Sequence, residues 1–143
     1  MYKECARRKA RVLALQAIYQ WQLNKDTVKN ILDQFTKKIQ KSEVDTLYCV
    51  ALLNGIISDI TIIDSNITPF IDRNLNNLDI IALSILRLAT FELMNRPDVP
   101  YKVIINEALE LSKNFGAVDS YKYINGVLDK SVRKLRTNMF NNT

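Results

Sequence analysis

Hydrophobic residues recur with helical spacing along the first part of the chain. Between residues 6 and 23 they fall at i, i+3, i+4 and i+7, which predicts an amphipathic helix. Asp26 or Thr27 is placed to cap a second helix, and Ser42 with Asp45 resembles a capping box for a third. The predicted apolar stripes are Ala10, Leu13, Ala14, Ala17, Ile18 and Trp21 in the first helix, Val28, Ile31, Leu32, Phe35 and Ile39 in the second, and Val44, Leu47, Tyr48, Ala51, Leu52 and Ile56 in the third.

The second half of the chain continues this helical pattern. The third helix is predicted to run to about Ser65, and residues 66–78 form a connector in which Pro69 marks a helix stop or start. Asp79 is placed to cap a helix that is apolar on nearly every face. Such a helix is expected to be buried by neighbours on several sides.

Two further helices complete the pattern. Pro100 suits the first turn of one, and Gly116 is predicted to be its left-handed C-terminal cap. Asp119 or Ser120 starts the last helix, in which Gly126 is predicted to allow close approach of a neighbouring helix. The inward positions are predicted at Val103, Ile104, Ala108, Leu111 and Phe115, and then at Tyr123, Ile124, Val127, Leu128 and Leu135.

The predicted fold class is all-α. The β-branched run over residues 60–63 lacks the turn residues that would close a hairpin. We expect about six main helices in two three-helix bundles, at about 6–66 and 78–136, packed into one compact domain spanning 1–143. The Asn-rich end, residues 138–143, is expected to fray.

Several classes of chemistry are disfavoured by the composition. The chain has no His, only three dispersed Gly and two Cys, so it lacks the residues of a His-containing catalytic pair, a phosphate-binding glycine loop or a four-cysteine zinc site. We therefore expect no catalytic residue, no metal and no cofactor. No run of ~18 apolar residues or signal-peptide pattern occurs, which favours a cytoplasmic protein with no membrane partner.

The net charge of +5 is concentrated at the two ends of the chain. Residues 1–11 and residues 121–143 each carry five basic and one acidic side chain, whereas residues 12–120 carry ten basic and thirteen acidic ones. We expect the ends to form one basic surface, for which a phosphate backbone is the commonest partner; basic ends that only aid solubility are the alternative. The basic residues of the first helix are predicted to lie in its first turn and a half, where they oppose the helix dipole.

Ordered blocks of residues carry a resemblance to a known family. They are ARRKAR from Ala6, ALQAIYQWQ from Ala14, DVPYKVIINEA from Asp98, FGA from Phe115 and YINGVLDK from Tyr123, with Leu86-Arg87, Glu92-Leu93 and Asp119-Ser120 between them. Together they resemble the NusB family of transcription antitermination factors. The resemblance covers about residues 6–136 and is weak over 24–78.

The resemblance implies a bacterial RNA-binding protein that is not an enzyme. Members of the family pair with the small ribosomal protein NusE and bind single-stranded boxA RNA in nascent ribosomal RNA transcripts. With other Nus factors they form an antitermination complex on RNA polymerase and suppress termination. The family fold is two perpendicular three-helix bundles, and its members differ in whether the free protein is a monomer or a homodimer.

The resemblance also implies which residues bind RNA. Four of them match the family's arginine-rich motif, in which Lys9 stands where Arg is common, and Lys3 is a flanking contact. Tyr123 takes the position of an aromatic that resembles a base-stacking platform, or else packs in the core, and Asp119 caps the helix, tempers RNA affinity, or does both. The candidate RNA-binding residues are Lys3, Arg7, Arg8, Lys9, Arg11, Asp119, Tyr121, Lys122 and Tyr123.

A second apolar stripe on the first helix is the candidate surface for NusE. Tyr19 matches a family position at that interface, and Val12 and Leu15 lie along the same stripe. For Val12 and Leu15 burial between the bundles is an equal alternative. Phe115 is interpreted as a core or partner contact.

Two other functions compete with this interpretation. NusB-like domains also occur fused to ribosomal RNA cytosine methyltransferases, but this chain is too short to add the catalytic domain. A helical adaptor or DNA-binding protein is the second competitor, and the only basic helix start, at residues 7–11, fits a recognition helix poorly.

Overall fold

The computed structural model describes residues 2–41 and 45–137 and contains only helices and connecting segments within those ranges, which confirms the all-α prediction. Two short 3-10 helices, Thr68–Phe70 and Leu75–Asn77, lie in the predicted connector. The α-helices of the described ranges are α1 (Tyr2–Asn24), α2 (Val28–Lys41), α3 (Thr46–Ser58), α4 (Ile60–Ile67), α5 (Ile80–Asn95), α6 (Tyr101–Phe115) and α7 (Ser120–Leu135).

The contacts among the helices divide the chain into two compact units, the N-terminal unit (Met1–Asp59) and the C-terminal unit (Ile60–Thr143). Residues 60–66, which the sequence pattern assigns to the first bundle, belong to the second unit in this division. The predicted third helix is in fact two helices, α3 and α4. Because α3 packs on α1 and α2 whereas α4 packs on α5 and α7, the two form separate helices that meet at Asp59.

In the N-terminal unit, α1 packs on α2 and α3 through small and branched side chains. Ala10, Ala14 and Ile18 have no exposed surface, as predicted from their spacing. Ile31 and Phe35 are buried among the described side chains of α2, and the side chain of Ile39 lies outside them. Leu13 and Trp21, predicted to be inward, are half-buried.

Side-chain caps start the second and third helices, at Thr27 as predicted for α2, and for α3 at Asp45, which is itself the N-cap and not the third helical residue that the predicted capping box implied. The Thr27 hydroxyl accepts a hydrogen bond from Asn30 N–H at 3.1 Å, and the Asp45 carboxylate accepts one from Tyr48 N–H at 3.0 Å. The other half of the predicted capping box, Ser42, lies outside the described residues, as does Val44. The start of α3 is therefore fixed by Asp45.

The predicted apolar stripe of α3 is confirmed at Tyr48, Leu52 and Ile56 and wrong at Leu47 and Ala51. Leu47 is 84% exposed and Ala51 is also exposed. The buried residues are Tyr48, Cys49, Leu52, Leu53 and Ile56. This helix is apolar on most sides, so periodicity alone did not separate all of its buried positions from its exposed ones.

The start of α1 also corrects a prediction. The helix begins at Tyr2, so Arg7 to Arg11 lie in its second and third turns. The helix dipole acts mainly within the first turn. The expected electrostatic penalty therefore does not apply to these residues.

In the C-terminal unit, α5 contacts α4, α6 and α7, and it is buried almost all round, as predicted. The Asp79 carboxylate caps it by accepting from Ala82 N–H at 3.0 Å. A bidentate ion pair joins α5 to α4, with Arg87 donating to both carboxylate oxygens of Asp64 at 2.9 and 2.8 Å. These contacts make α5 the central helix of the unit.

Glycine and valine positions in α6 differ from the prediction. Gly116 follows the helix with φ −90° and ψ 175°, which is extended rather than left-handed. It serves as glycine because a Cβ there would lie 2.8 Å from the main-chain oxygen of Ser112. Val103, predicted to be inward, is 41% exposed, whereas Ile104 is buried.

The end of α7 is attached to the end of α5 by a buried arginine. The Arg136 guanidinium donates hydrogen bonds of 2.7–3.1 Å to four main-chain carbonyls, those of Glu92, Leu93, Arg96 and Val99. The last carbonyls of a helix lack partners within the helix, and a cation there is favourable. Arg136 therefore caps α5 from a distance of more than forty residues along the chain.

Within the described ranges, no single helix is long and apolar enough to cross a membrane. The segments Thr46–Ser58 and Ile60–Phe70 meet the criteria of length and composition only when taken together as a bent pair.

Candidate nucleic-acid interface

The basic residues of α1 point to different sides of the helix. Successive residues are ~100° apart at 3.6 residues per turn, so four cations within five positions cannot share one face. Arg8 and Lys9 are exposed, Arg7 is half-buried, and Arg11 is only 3% exposed. Lys3 lies in the first turn of α1, and its side chain lies outside the described residues. Among these residues whose side chains are described, only Arg8 and Lys9 are exposed.

A buried tyrosine accounts for the positions of the other two arginines. The guanidinium carbon of Arg7 lies 4.4 Å from the ring centroid of Tyr48, and that of Arg11 lies 5.4 Å from it. Arg11 Nη2 also donates to the Tyr48 hydroxyl at 3.5 Å. A cation on the face of an aromatic ring is attracted most strongly where water is excluded, and Tyr48 is 3% exposed. Arg11 is thus not presented to a ligand in this structure.

Asp45 links the same group to the start of α3. Its carboxylate lies 3.6 Å from Arg7 Nε, and its main-chain N–H donates to the carbonyl of Ala6 at 3.2 Å. Burial, reinforced by the negative charge of Asp45, raises the pKa of the neighbouring Cys49 thiol from 9.0 to about 11. The cluster of Arg7, Arg11, Asp45 and Tyr48, which we call the buried arginine cluster, therefore orients the basic turns of α1.

The start of α7 carries the second group of candidate residues. Asp119 precedes the helix with φ 71°, and its side chain accepts no hydrogen bond from the helix amides. Side-chain caps usually have extended backbone, so this left-handed conformation explains why the predicted capping role is wrong. The carboxylate instead lies 3.8 Å from Lys122 Nζ, and both side chains are more than two-thirds exposed.

Tyr121 and Tyr123 have different surroundings. Lys113 Nζ lies 5.3 Å from the ring centroid of half-buried Tyr121. Tyr123 is also half-buried and is not a core residue, because its hydroxyl donates to Asp72 at 3.1 Å and Arg73 lies over its ring at 5.0 Å. Of the two predicted alternatives for Tyr123, packing in the core is wrong, and the side chain lies at the edge of the C-terminal unit.

Asp72 and Arg73 form a bidentate ion pair beside Tyr123. Arg73 Nε and Nη2 donate to the two carboxylate oxygens at 2.8 and 3.2 Å. These hydrogen bonds hold the pKa of Asp72 at about 2, and burial together with the bond to Asp72 raises the pKa of Tyr123. We call Asp72, Arg73 and Tyr123 the exposed arginine cluster, since 67% of the Asp72 and 47% of the Arg73 side chain is exposed.

The outer face of α7 extends this surface. Lys130, Arg133 and Lys134 are exposed, and Gly126 lies on the same side of the helix. No atom of the described chain lies within 4 Å of the place where a Cβ of Gly126 would stand, apart from its own helix turn. The prediction that Gly126 lets a neighbouring helix approach is therefore wrong.

The apolar residues predicted to contact a protein partner differ in how much of their surface is exposed. Leu15 is 4% exposed and Val12 is half-buried, whereas Tyr19 and Phe115 are 37% and 40% exposed. Leu15 is thus not presented to a partner, and Phe115 is not a core residue. Leu23, four residues after Tyr19, is 50% exposed and shares its side of α1.

Sequence reasoning missed the side chains that organise both groups. Tyr48 was predicted only as part of an apolar stripe, although a buried tyrosine hydroxyl generally needs a partner. Asp72 and Arg73 were included in the connector without a role, and no spacing rule relates them to Tyr123, about fifty residues away. Among the described residues, no group of three His, Cys, Asp or Glu side chains is arranged to hold a metal ion.

Comparison with known proteins identifies the family. A model of the NusB family matches residues 8–133. The transcription antitermination protein NusB of Tolumonas auensis is 51% identical over 133 residues, which are 93% of this chain and 96% of that protein. The protein of the same name from Idiomarina loihiensis is 49% identical over 134 residues, covering 94% of this chain and 96% of that protein.

A solved structure agrees with this assignment. NusB from T. maritima superposes with a TM-score of 0.76 at 28% identity, and the match covers 89% of this chain and 90% of that one. The family model and the two relatives both extend over most of the chain. The chain belongs to the NusB family.

Proposed function

We propose that this protein is a transcription antitermination factor that binds single-stranded boxA RNA together with NusE and acts, with other Nus factors, on RNA polymerase in the cytoplasm. The antitermination role is that of the NusB family, whose members bind RNA and are not enzymes. The observation that carries the proposal is the family match over residues 8–133. It is supported by cationic and aromatic side chains on the surface of each unit.

The two units contribute different kinds of RNA contact. Exposed Arg8 and Lys9 in the N-terminal unit follow the phosphate backbone, which gives affinity without reading sequence. Arg7 and Arg11 act indirectly in this proposal, because the buried arginine cluster fixes the turn from which the other two project. In the C-terminal unit, Tyr121, Lys122 and Tyr123 supply aromatic and cationic contacts of the kind that bind unpaired bases.

The protein partner is proposed to bind α1. Tyr19 and Leu23 are exposed apolar side chains one helical turn apart, and the half-buried Val12 lies further along the same side. Such a stripe on a soluble helix is typical of a partner interface. We assign NusE to this stripe, with Phe115 as a second exposed apolar contact.

Binding to RNA tests the proposal directly. Fluorescence anisotropy is measured with boxA-like single-stranded RNA, a scrambled RNA and duplex DNA, each with and without NusE. The proposal expects the tightest binding to the boxA-like RNA with NusE present. Equal affinity for all three nucleic acids would contradict it and leave only non-specific electrostatic attraction.

A double variant tests the phosphate contacts of α1. Arg8→Ala with Lys9→Ala is expected to weaken RNA binding and to reduce the slope of log K against log salt by about two, one for each lost contact. Lys29→Ala, an exposed lysine of α2 in the same unit, is the control for loss of charge. An unchanged slope in the double variant would place the phosphate contacts elsewhere.

The assignment of NusE has its own test. Tyr19→Asp is expected to abolish NusE binding in a pull-down without changing the circular dichroism spectrum, because the side chain is accessible. If the variant unfolds, Tyr19 has a structural role and the assignment fails.

A further inference from the structure

We propose that Arg73 stacks on a base of the bound RNA, with Tyr123 as the platform that supports its guanidinium and Asp72 as the residue that positions it. The inference rests on the proposed RNA-binding function and adds to it a residue outside the arginine-rich segment and the start of α7. The ligand chemistry is an unpaired nucleobase next to a phosphate.

The geometry holds the Arg73 guanidinium in a defined orientation. Nε and Nη2 are fixed by the two oxygens of Asp72 at 2.8 and 3.2 Å, and the guanidinium carbon lies 5.0 Å over the Tyr123 ring. The same carboxylate accepts the Tyr123 hydroxyl at 3.1 Å, so Asp72 fixes the ring and the guanidinium together. An arginine held in this way loses less conformational freedom on binding than a free side chain.

Stability alone does not explain this arrangement. Ion pairs at such exposure add little to the stability of a fold, because water screens them. The buried arginine cluster shows how this chain uses the same residue types for structure, with Tyr48 and Arg11 almost fully buried. In the exposed arginine cluster the residues remain at the surface.

The cluster retains the contacts that a nucleotide needs. The guanidinium carbon lies 5.0 Å over the Tyr123 ring, and 47% of the Arg73 side chain is exposed, so the group keeps accessible surface for a base. Arginine planes stack on unpaired bases in single-stranded RNA. The two hydrogen bonds to Asp72 use Nε and Nη2, so Nη1 is left to donate to a phosphate or base oxygen. Lys130, two turns beyond Tyr123 on the same side of α7, is exposed and provides a further cation for the backbone.

The experiment uses the full chain, with NusE, and boxA-like RNA in which single bases are replaced in turn by 2-aminopurine, whose fluorescence is quenched by stacking. Arg73→Ala is expected to weaken binding about tenfold and to restore the fluorescence of one position. Arg73→Lys keeps the charge but not the planar group, so we expect the fluorescence to be restored there too. Lys102→Ala, an exposed lysine of α6, is the charge-matched control and should change Kd less than twofold.

The role of Asp72 has a separate readout. Asp72→Asn removes a negative charge, which by itself favours binding of a polyanion, yet it should reduce the quenching because Arg73 is no longer held. Full quenching in this variant would overturn the positioning role of Asp72.

The outcomes separate this inference from the proposed function. If the unmodified protein with NusE does not bind the RNA selectively, the proposed function fails. If it binds, and Arg8→Ala weakens binding while Arg73→Ala matches Lys102→Ala in both Kd and fluorescence, the inference about Arg73 alone is overturned.

Discussion

The two arginine clusters contain the same three residue types in opposite environments. In the N-terminal unit, Arg7 and Arg11 lie against Tyr48, and Asp45 accompanies Arg7. In the C-terminal unit, Arg73 lies over Tyr123 and pairs with Asp72 at the surface. Burial therefore differs although the chemistry is shared.

This difference shows that burial decides whether an arginine beside a tyrosine and a carboxylate has a structural role or is accessible to a ligand. In the buried arginine cluster, Tyr48 and Arg11 are each 3% exposed. A cation and an aromatic ring that are closed off from water attract one another strongly and cost much to separate, so they stabilise and orient α1. The same groups in water contribute little to stability and keep donors and ring surface for a ligand. Arginine content alone does not distinguish the two cases.

The largest expected effect comes from removing the two tyrosines in turn. Tyr48→Ala should lower the free energy of unfolding by ~3–5 kcal/mol, the usual cost of deleting a buried aromatic ring. Tyr123→Ala should lower it by about 1 kcal/mol or less, because the ring is at the surface. Urea denaturation followed by circular dichroism measures both, and equal losses would show that the clusters do not differ as described.

Thiol labelling tests how well the buried arginine cluster is closed to solvent, because the N-terminal unit contains one exposed and one buried cysteine. Cys5 is exposed, whereas Cys49 is buried next to Tyr48 with its pKa raised from 9.0 to about 11. The raised pKa lowers the thiolate fraction of Cys49 at pH 8 and burial blocks access to its sulfur, so Cys49 should react much more slowly than exposed Cys5. Mass spectrometry after timed labelling distinguishes the two sites. Comparable rates would mean that the buried arginine cluster opens readily.

Gly126 tests whether the outer face of α7 is optimised for stability. Gly126→Ala should stabilise the protein by ~0.5–1 kcal/mol, since glycine is unfavourable within a helix and the new methyl group meets no atom of the described chain. The control is Gly116→Ala, which should destabilise because its Cβ would lie 2.8 Å from the Ser112 oxygen. Thermal unfolding compares the two variants, and a loss of stability in Gly126→Ala would contradict the open surface.

The smallest effect is the pH dependence of the exposed arginine cluster. The pKa of Asp72 is about 2 in the folded protein, below its ordinary value of 3.8, so ionised Asp72 favours folding above pH 3.8 and loses that effect as the pH falls through about 2. The carboxyl carbon resonance of Asp72 should titrate near 2, and near its ordinary value in Arg73→Ala. A midpoint near 3.8 in the unmodified protein would show that the ion pair does not form.

Local chemistry made much of the fold predictable. Asp79 as the cap of α5, Thr27 as the cap of α2 and the all-round burial of α5 follow from short-range rules, and the structure has each of them. The exposure of Leu47 and Ala51 in α3 and the separation of α3 from α4 were not predictable in this way. Both depend on which unit each helix packs against, and periodicity does not contain that information.

The candidate site was predictable in residue type but not in exposure. The basic run of α1 was identified, yet the burial of Arg11 depends on Tyr48, thirty-seven residues away. Arg73 was missed because its importance depends on a contact with Tyr123 that only the folded chain brings about. In both cases a tertiary neighbour decides what an arginine does.

The hydrogen bonds of Arg136 set an order in which the protein can be completed during synthesis. The described helices of the N-terminal unit are all present once residue 58 has been made. The carbonyls at the end of α5, by contrast, gain their hydrogen bonds only after Arg136 has been synthesised, more than forty residues after Glu92. On the ribosome the C-terminal unit therefore matures last, and a nascent chain arrested before codon 136 should expose α5 to chaperones and proteases.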